Sequence, residues 1–383
     1  MTLHQPRPTN QYQCHSKLSL RLSPSTPNST VSIQYTFDSS NRFPHPFLSP
    51  RPRFTTAVDP KLRSLPCILI LHDTWPGGFD VARWYAGGLS LAAMDATVQK
   101  VLTCSHPPAT SHSSSLLAAA SSLRSTYRPL PALPPLGLLG LSRPGFHRSS
   151  PLLDHTFASE ASLLGRFLDL LCLNEVFLFA VGTGAQTALH LADQRPSIVQ
   201  SLVLVDPILT RPSSPQLWGM RLQAELYHRQ VWSTWLAYQQ YAQASTSLPS
   251  RGFFHRHHAA ELEPLEAAVI SSAWYHEERR RRLDGLVHHQ GVLFAQGQRR
   301  YPGIRSDILK LQHLPGHLEW SRMERPILCL DTQQPGLLRQ EVPDQKELDS
   351  LFPNAKVASK KVQCECTKAQ IQNVAKAAIE FFL

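Results

Sequence analysis

Several short runs of continuous apolar residues are spread along the chain, with helical segments between them. The runs are Cys67–Leu71, Leu136–Leu141, Val176–Ala180, Leu202–Val205 and Ile327–Leu330. Unbroken apolar runs of this length are typical of parallel strands that are covered on both faces. They predict an α/β fold with a doubly wound, mostly parallel sheet.

The segments between these runs carry apolar residues at helical spacing. Helices are predicted over Ala158–Leu173 and Lys368–Phe382, which carry apolar residues at helical spacing, and over Ala185–Leu191. Strands that alternate with such helices favour parallel pairing, because a crossover helix is the usual connection between parallel strands.

Two regions interrupt the alternation, and the N-terminal region precedes it. Leu18–Arg21 and Val31–Phe37 alternate like strands of a β-hairpin, residues 95–135 are rich in Ala, Ser and Pro, and residues 208–319 are charged and aromatic. An insertion after a central strand lies over the carboxyl ends of the sheet, where ligands bind in such folds. The predicted organisation is an N-terminal arm over 1–54, a core over 55–207 with an insertion at 95–135, a helical cap over 208–319, and the rest of the core over 320–383.

Composition narrows the class of protein. The 383 residues are 42% hydrophobic, which suffices for a sizeable core. The sequence contains no run of about 18 apolar residues, so no transmembrane segment is predicted. The net charge of +10 predicts acidic partners, with other protein subunits favoured and nucleic acid or anionic lipid left open. Seven cysteines do not form the pattern of a disulfide scaffold, so we expect reduced thiols.

The first 54 residues contain a single acidic residue, Asp38, and are rich in Ser, Pro, Thr and Arg. This composition is typical of an organellar presequence. It predicts a mitochondrial location, with the cytoplasm as the alternative.

A sharp turn between strand and helix is predicted at Ala180-Val181-Gly182-Thr183-Gly184. Small residues on both sides of a central residue are the pattern of a nucleophile elbow, in which a strained turn presents a serine at the top of a parallel sheet. Here the central position is Gly182, which has no side chain. Whether this chain is an enzyme depends on that glycine.

Several motifs in the same order resemble those of the α/β-hydrolase superfamily, in particular its capped esterase, epoxide-hydrolase and iminopeptidase-like branch. The resemblance covers about residues 60–383, apart from the insertion. The segments that carry it are Ile68–Asp73 with Pro76-Gly77-Gly78, Ser142–Ser149 (SRPGFHRS), Leu202–Pro207, Arg325–Leu330 and Pro353–Lys356.

The resemblance also implies where a catalytic triad would lie. The nucleophile position falls on Gly182, the acid position on Gln334 and the histidine position on Glu365, and no histidine follows His317. The turn that would supply an oxyanion-hole amide, His72-Asp73, has a carboxylate where the family has glycine. A carboxylate there would oppose a developing oxyanion. The resemblance therefore implies a pseudo-hydrolase with no catalytic residue.

Other readings of the residues remain open. Thr183 could replace the nucleophile, and His72 with Asp331 could form a rebuilt acid–base pair. The metal or redox candidates are Cys364 with Cys366, and His255, His257 and His258; for both sets a role without a metal is favoured, and no cofactor is expected.

The prediction is a catalytically inactive accessory or structural subunit of a larger protein assembly. Four consecutive arginines, Arg279–Arg282, are the predicted contact with a partner. The alternatives are an active hydrolase with a rebuilt site that lacks serine, and a ligand-binding pseudo-hydrolase.

Overall fold

A single eight-stranded sheet organises the protein, as seen in a computed structural model. The structure describes residues 15–21, 30–39, 66–104, 137–229, 297–332, 342–362 and 367–382, except positions 76, 148, 153, 155 and 316–319. The strand order is β1-β2-β4-β3-β5-β6-β7-β8. The six strands from β4 to β8 in this order are parallel, and β1 and β2 form an antiparallel hairpin that pairs with β4.

The strands and helices have the following bounds. The strands are β1 His15–Arg21, β2 Thr30–Ser39, β3 Cys67–Leu71, β4 Gly137–Leu141, β5 Val176–Val181, β6 Val199–Val205, β7 Ile327–Asp331 and β8 Val357–Lys361. The helices are α1 Phe79–Cys104, α2 Phe157–Leu170, α3 Gly184–Gln194, α4 Ser214–His228, α5 Gly297–Gln312, α6 Gln345–Leu351 and α7 Thr367–Phe382.

The apolar runs are the buried strands of this sheet. Every residue of β3, β4 and β7 is buried, as continuous apolar sequence predicts for strands with helices on both faces. Strand β8 lies at the sheet edge and is largely exposed; its Lys360 and Lys361 are the kind of residues that discourage pairing with another chain. The predicted α/β architecture is confirmed.

Alternate residues of the strands contribute to two cores on opposite faces of the sheet. On one face, Leu69 and Leu71 pack with residues of α2, α3 and α6. On the other, Ile68 and Ile70 pack with residues of α1 and α7. A third apolar cluster joins α4 and α5 to Phe146 and Phe157.

The structure corrects one feature of the predicted organisation and shows where another joins the fold. Residues 95–104 belong to the 26-residue helix α1, so the irregular insertion does not begin at Asp95. The helix continues through this region because Ala93 and Ala96 pack in the core that contains Ile68 and Ile70. The predicted β-hairpin of the N-terminal arm is formed by β1 and β2, and it joins the main sheet, because Tyr35 of β2 pairs with Leu141 of β4 and Ile33 is fully buried. Residues 105–136 and 230–296, which include most of the predicted insertion and cap, lie outside the described residues.

Candidate functional site

The sharp turn that the sequence predicts between β5 and α3 is present, with a left-handed backbone. Gly182 has φ +54°, in the left-handed region that glycine adopts without steric cost. Its N–H donates to the Val205 carbonyl at 2.9 Å, and its own carbonyl accepts from Ala185 N at 3.2 Å and Ile208 N at 3.3 Å. These bonds fix the elbow against the end of β6.

Gly182 has no room for a side chain. A Cβ atom built on this residue would lie 2.1 Å from Oδ1, 2.2 Å from Cγ and 2.6 Å from Oδ2 of Asp73. Real Cβ atoms do not approach other atoms so closely. The Asp73 carboxylate therefore occupies the volume that the side chain of a nucleophile would need.

The same carboxylate accepts the amide protons around the elbow. Oδ1 of Asp73 accepts from Thr74 N at 2.7 Å, from Thr183 N at 2.9 Å and from the Thr183 hydroxyl at 3.1 Å. In an α/β-hydrolase, the residue after the nucleophile and the loop after β3 supply the oxyanion-hole amides. Loss of solvent contact raises the pKa of Asp73, and the bonds from Thr183 and Thr74 only partly offset this effect.

Next to the elbow lies a group of four buried charged side chains. Arg143 Nε donates to Glu160 at 2.6 Å, and its Nη1 and Nη2 donate to the two oxygens of Asp307 at 2.9 Å each. Lys310 Nζ donates to Asp307 at 3.2 Å and also to Glu160. All four are at most 2% exposed, and their charges sum to zero. We call Arg143, Glu160, Asp307 and Lys310 the charge cluster.

The pKa shifts in the charge cluster follow from burial and pairing. Burial alone would raise the pKa of Glu160, but Arg143 and Lys310 outweigh it and hold the pKa at about 2. Burial acts to lower the pKa of Arg143, yet Asp307 and Glu160 raise it above its ordinary value. Each charged form is thus stabilised by its partners.

Two threonine hydroxyls connect the charge cluster to the elbow. Thr74 Oγ1 donates to Asp307 at 2.8 Å and lies 2.7 Å from Thr183 Oγ1, which also accepts from Arg143 Nη1 at 3.1 Å. Thr183 is fully buried. Its hydroxyl is held by these partners, which argues against Thr183 as a replacement nucleophile.

His72 is engaged by backbone groups through both ring nitrogens. Nε2 accepts from Arg143 N at 3.0 Å, and Nδ1 lies 2.7 Å from the Asp73 carbonyl oxygen and 3.0 Å from Gly78 N. Burial, and then the charge of Arg143, lower the pKa of His72 well below its ordinary value. His72 is therefore a neutral residue that fixes two loops and has no nitrogen directed at a substrate.

The rebuilt pair of His72 and Asp331 does not form. His72 follows β3 and Asp331 ends β7, and β5 and β6 lie between those two strands. Three strand spacings separate them by about 14 Å. Asp206, at φ +44°, instead accepts from Thr332 N at 2.9 Å and from the Thr332 hydroxyl at 2.5 Å, which joins the ends of β6 and β7.

Several sequence candidates lie outside the described residues and stay predictions. They are Gln334, Glu365, Cys364, Cys366, the histidines at 255, 257 and 258, and Arg279, Arg280, Arg281 and Arg282. Within the described ranges, no three His, Cys, Asp or Glu side chains gather as metal ligands would. In those same ranges no helix is long and apolar enough to cross a membrane.

The sequence reasoning missed the charge cluster. Glu160 lies on the apolar face of α2, and Asp307 and Lys310 lie three residues apart beside the buried Ile304 and Leu311. Charged residues on apolar helix faces are the signal that could have revealed it, because such residues are rarely buried unless they are paired.

Two cavities lie beside α5 rather than at the elbow. One, of about 460 Å³, lies between α4 and α5 and is lined by residues such as Arg221, Glu225 and Arg305. The other, of about 350 Å³, is lined, among the residues that the structure describes, by α5 residues from Tyr301 to Leu309. Neither is lined by Gly182 or Asp73.

No family model matches the chain, and no curated protein matches it. Among solved structures, it is similar to a carboxylesterase of Nitrososphaera gargenis (11% identity, TM-score 0.49, 95% of this chain and 97% of that one). It is also similar to an esterase of Thermogutta terrifontis (13%, 0.49, 96% and 98%) and to an α/β-hydrolase fold protein of Nakamurella multipartita (14%, 0.43, 95% and 100%).

At these identities the likeness concerns the fold alone, and the molecule's own topology carries the assignment. The strand order β1-β2-β4-β3-β5-β6-β7-β8, the antiparallel β2 and the elbow after β5 are the arrangement of that fold. The chain has the α/β-hydrolase fold.

Proposed function

We propose that this protein is a catalytically inactive α/β-hydrolase-like protein that acts as an accessory or structural subunit of a larger protein assembly. The observation that carries the first half is the Asp73 carboxylate, which lies where the side chain of residue 182 would have to lie. No nucleophile can be presented at the elbow while Asp73 is there. A hydrolase of this class that loses its nucleophile loses several orders of magnitude in rate.

The surroundings of the elbow support inactivity. His72, Arg143 and Thr183 are fully buried and bonded to one another or to nearby backbone. A substrate would have to displace α5 as well, since Asp307 of that helix is bonded to Thr74 and Arg143. Together with the predicted Gln334 and Glu365 at the acid and histidine positions, this argues for a scaffold rather than a catalyst.

The accessory role is supported by surface features. Trp218 is 66% exposed and Leu222 is 45% exposed, and they lie four residues apart on one face of α4. Exposed Trp side chains of this kind are favoured at the centres of protein interfaces. The net charge of +10 and the Arg279–Arg282 run fit an acidic protein partner. The N-terminal composition supports a mitochondrial assembly as the setting.

Turnover assays test the first half. Purified protein is expected to hydrolyse short p-nitrophenyl esters and simple epoxides no faster than the solvent background. The matched control is the Asp73→Asn variant, which keeps a group of the same size beside Gly182. Activity of the wild type that Asp73→Asn abolishes would refute inactivity and support the rebuilt-site alternative.

Native purification tests the second half. Size-exclusion chromatography of the endogenous protein, followed by mass spectrometry, is expected to recover it in a complex of fixed stoichiometry. A Trp218→Ser/Leu222→Ser variant is expected to dissociate from that complex. Leu170→Ser, at a site 58% exposed on α2, is the control that keeps it bound. Elution of the wild type as a free monomer would contradict the accessory role.

A further inference from the structure

We propose that the elbow retains a backbone anion site and that the Asp73 carboxylate is its built-in ligand, so that a small external carboxylate binds there only when this side chain is removed. The proposal shares with the proposed function only the absence of a nucleophile at Gly182. It holds whether or not the protein belongs to an assembly.

Two amide groups from separate parts of the chain converge on one oxygen. Thr74 N lies in the loop after β3 and Thr183 N lies at the turn after β5, and they donate to the same Oδ1 of Asp73 at 2.7 Å and 2.9 Å. Donors at 2.7–3.1 Å from one oxygen are the geometry of a site that stabilises an oxyanion. The two amides therefore form an anion site, and Oδ1 of Asp73 already occupies it.

The occupant reaches the site from a neighbouring strand rather than from the elbow itself. Asp73 follows β3, and its carboxylate accepts from the N–H of Thr183, the residue that precedes α3. Burial disfavours the charged form of Asp73, and these amide bonds act against that effect. The two amides at the elbow favour an anionic acceptor, which accounts for a carboxylate at this position despite the cost of its burial.

Asp73 and a side chain at residue 182 exclude each other. All three atoms of the carboxyl group lie within 2.6 Å of the Cβ position on Gly182. Asp73 as a whole residue is only partly buried. Truncation at residue 73 should open a volume that a molecule the size of formate or acetate can enter.

The experiment compares Asp73→Gly, which empties the site, with Asp73→Asn, which leaves it filled. Thermal unfolding is followed in sodium acetate and in sodium chloride of equal ionic strength. For Asp73→Gly we expect a saturable rise in the unfolding midpoint, of about 2 °C at acetate tenfold above its dissociation constant. The wild type and Asp73→Asn are expected to respond equally to the two salts.

The proposal would be overturned if folded Asp73→Gly responded equally to acetate and chloride. It would also be overturned if acetate raised the unfolding midpoint of the wild type as much as that of Asp73→Gly. If Asp73→Gly does not fold in chloride, refolding in acetate decides: recovery of native circular dichroism in acetate alone supports the site, and no recovery overturns it.

A second variant tests the shared volume independently. Gly182→Ala is expected to lower the unfolding midpoint of the wild type far more than that of Asp73→Gly, because only the wild type has the carboxylate in the way. Equal losses in the two backgrounds would contradict the exclusion. Neither readout involves turnover, so esterase activity of the wild type would count against the proposed inactivity and not against the anion site.

Discussion

Replacement of Glu160 by glutamine would leave the two cations of the charge cluster with one counter-charge between them. Glu160 accepts from Arg143 Nε at 2.6 Å and Nη2 at 3.3 Å and from Lys310, all with essentially no solvent contact. Removal of one partner of a buried ion pair costs about 3–5 kcal/mol, because the remaining charge is buried without compensation. We expect Glu160→Gln to lose that much free energy of unfolding.

The pKa of Glu160 gives an independent figure. Its fall from an ordinary value of 4.5 to about 2 corresponds to about 3 kcal/mol at neutral pH. Both routes therefore predict the same order of magnitude. In urea denaturation followed by tryptophan fluorescence at pH 7, the midpoint should fall by about 1 M.

A second substitution separates the loss of pairing from simple damage to the fold. Lys310→Met removes one positive charge, together with the contact of Lys310 Nζ over the Phe157 ring at 5.3 Å, and leaves an unbranched apolar side chain in its place. Alone it should also be destabilising. Combined with Glu160→Gln it restores a neutral cluster, so the double variant should lose clearly less than the sum of the two single losses.

The matched control is an exposed ion pair. Asp169 pairs with Arg195 at 2.7 Å, with the side chains 47% and 39% exposed, so Asp169→Asn should cost less than about 1 kcal/mol. Loss of under 1 kcal/mol for Glu160→Gln, or strict additivity with Lys310→Met, would refute the reasoning about the charge cluster.

Three further outcomes follow from the structure. Because the pKa of Glu160 is lowered to about 2, its contribution to stability is present above about pH 4.5 and is lost as the pH falls toward 2; urea midpoints measured from pH 6 to 2 should fall less steeply for Glu160→Gln than for the wild type. Cys329 is buried and its pKa is raised to about 12, so in the native protein N-ethylmaleimide should label the exposed Cys172 and spare Cys329 until denaturant is added, as peptide mass spectrometry will show. Gly303→Ala should destabilise α5, since its Cβ would lie 2.3 Å from a buried aromatic ring, whereas Gly219→Ala on α4 meets nothing within 4 Å and should be neutral or stabilising by up to about 1 kcal/mol; equal urea midpoints for the two variants would contradict this.

The sheet could be predicted from the sequence because its strands are buried on both faces. Cys67–Leu71 is read directly as β3, with the same bounds, and Val176–Ala180 lacks only the last residue of β5. The elbow was equally accessible, since small residues around Gly182 have few other uses between a strand and a helix. The local sequence pattern suffices to predict an element when the residues that it contacts are close in sequence or belong to strands with the same apolar pattern.

Helix α1 was harder to read for a local reason. Its apolar residues do not follow one stripe, because it packs against both the sheet and α7, and its Ala-rich second half continues into an Ser/Pro-rich segment. The N-terminal hairpin strands were visible, but nothing in them indicated that β2 pairs with β4, about a hundred residues further along the chain. Pairing over such distances is set by the fold and not by the strand itself.

The site itself required three-dimensional information. Asp73 and Thr183 are 110 positions apart, and Thr74 and Asp307 are 233 apart, so no spacing in the sequence relates them. The sequence alone shows that Gly182 and Asp73 each differ from the residue that a hydrolase has at that position. It does not show that the Asp73 carboxylate occupies the space of a side chain at residue 182.

The contact between Asp73 and Gly182 means that the nucleophile cannot be restored by changing residue 182 alone. With Asp73 present, Gly182→Ser has no volume for its Cβ atom, and with Gly182 present, removal of Asp73 leaves two convergent amides without their acceptor. Neither position can be changed alone toward a hydrolase without a steric or an electrostatic cost. Substitution of residue 182 in the wild type should therefore reduce stability before it could restore any chemistry. Inactivity at this elbow would then be a property of how two residues share one volume, and only a variant changed at both positions could test whether the rest of the scaffold still supports catalysis.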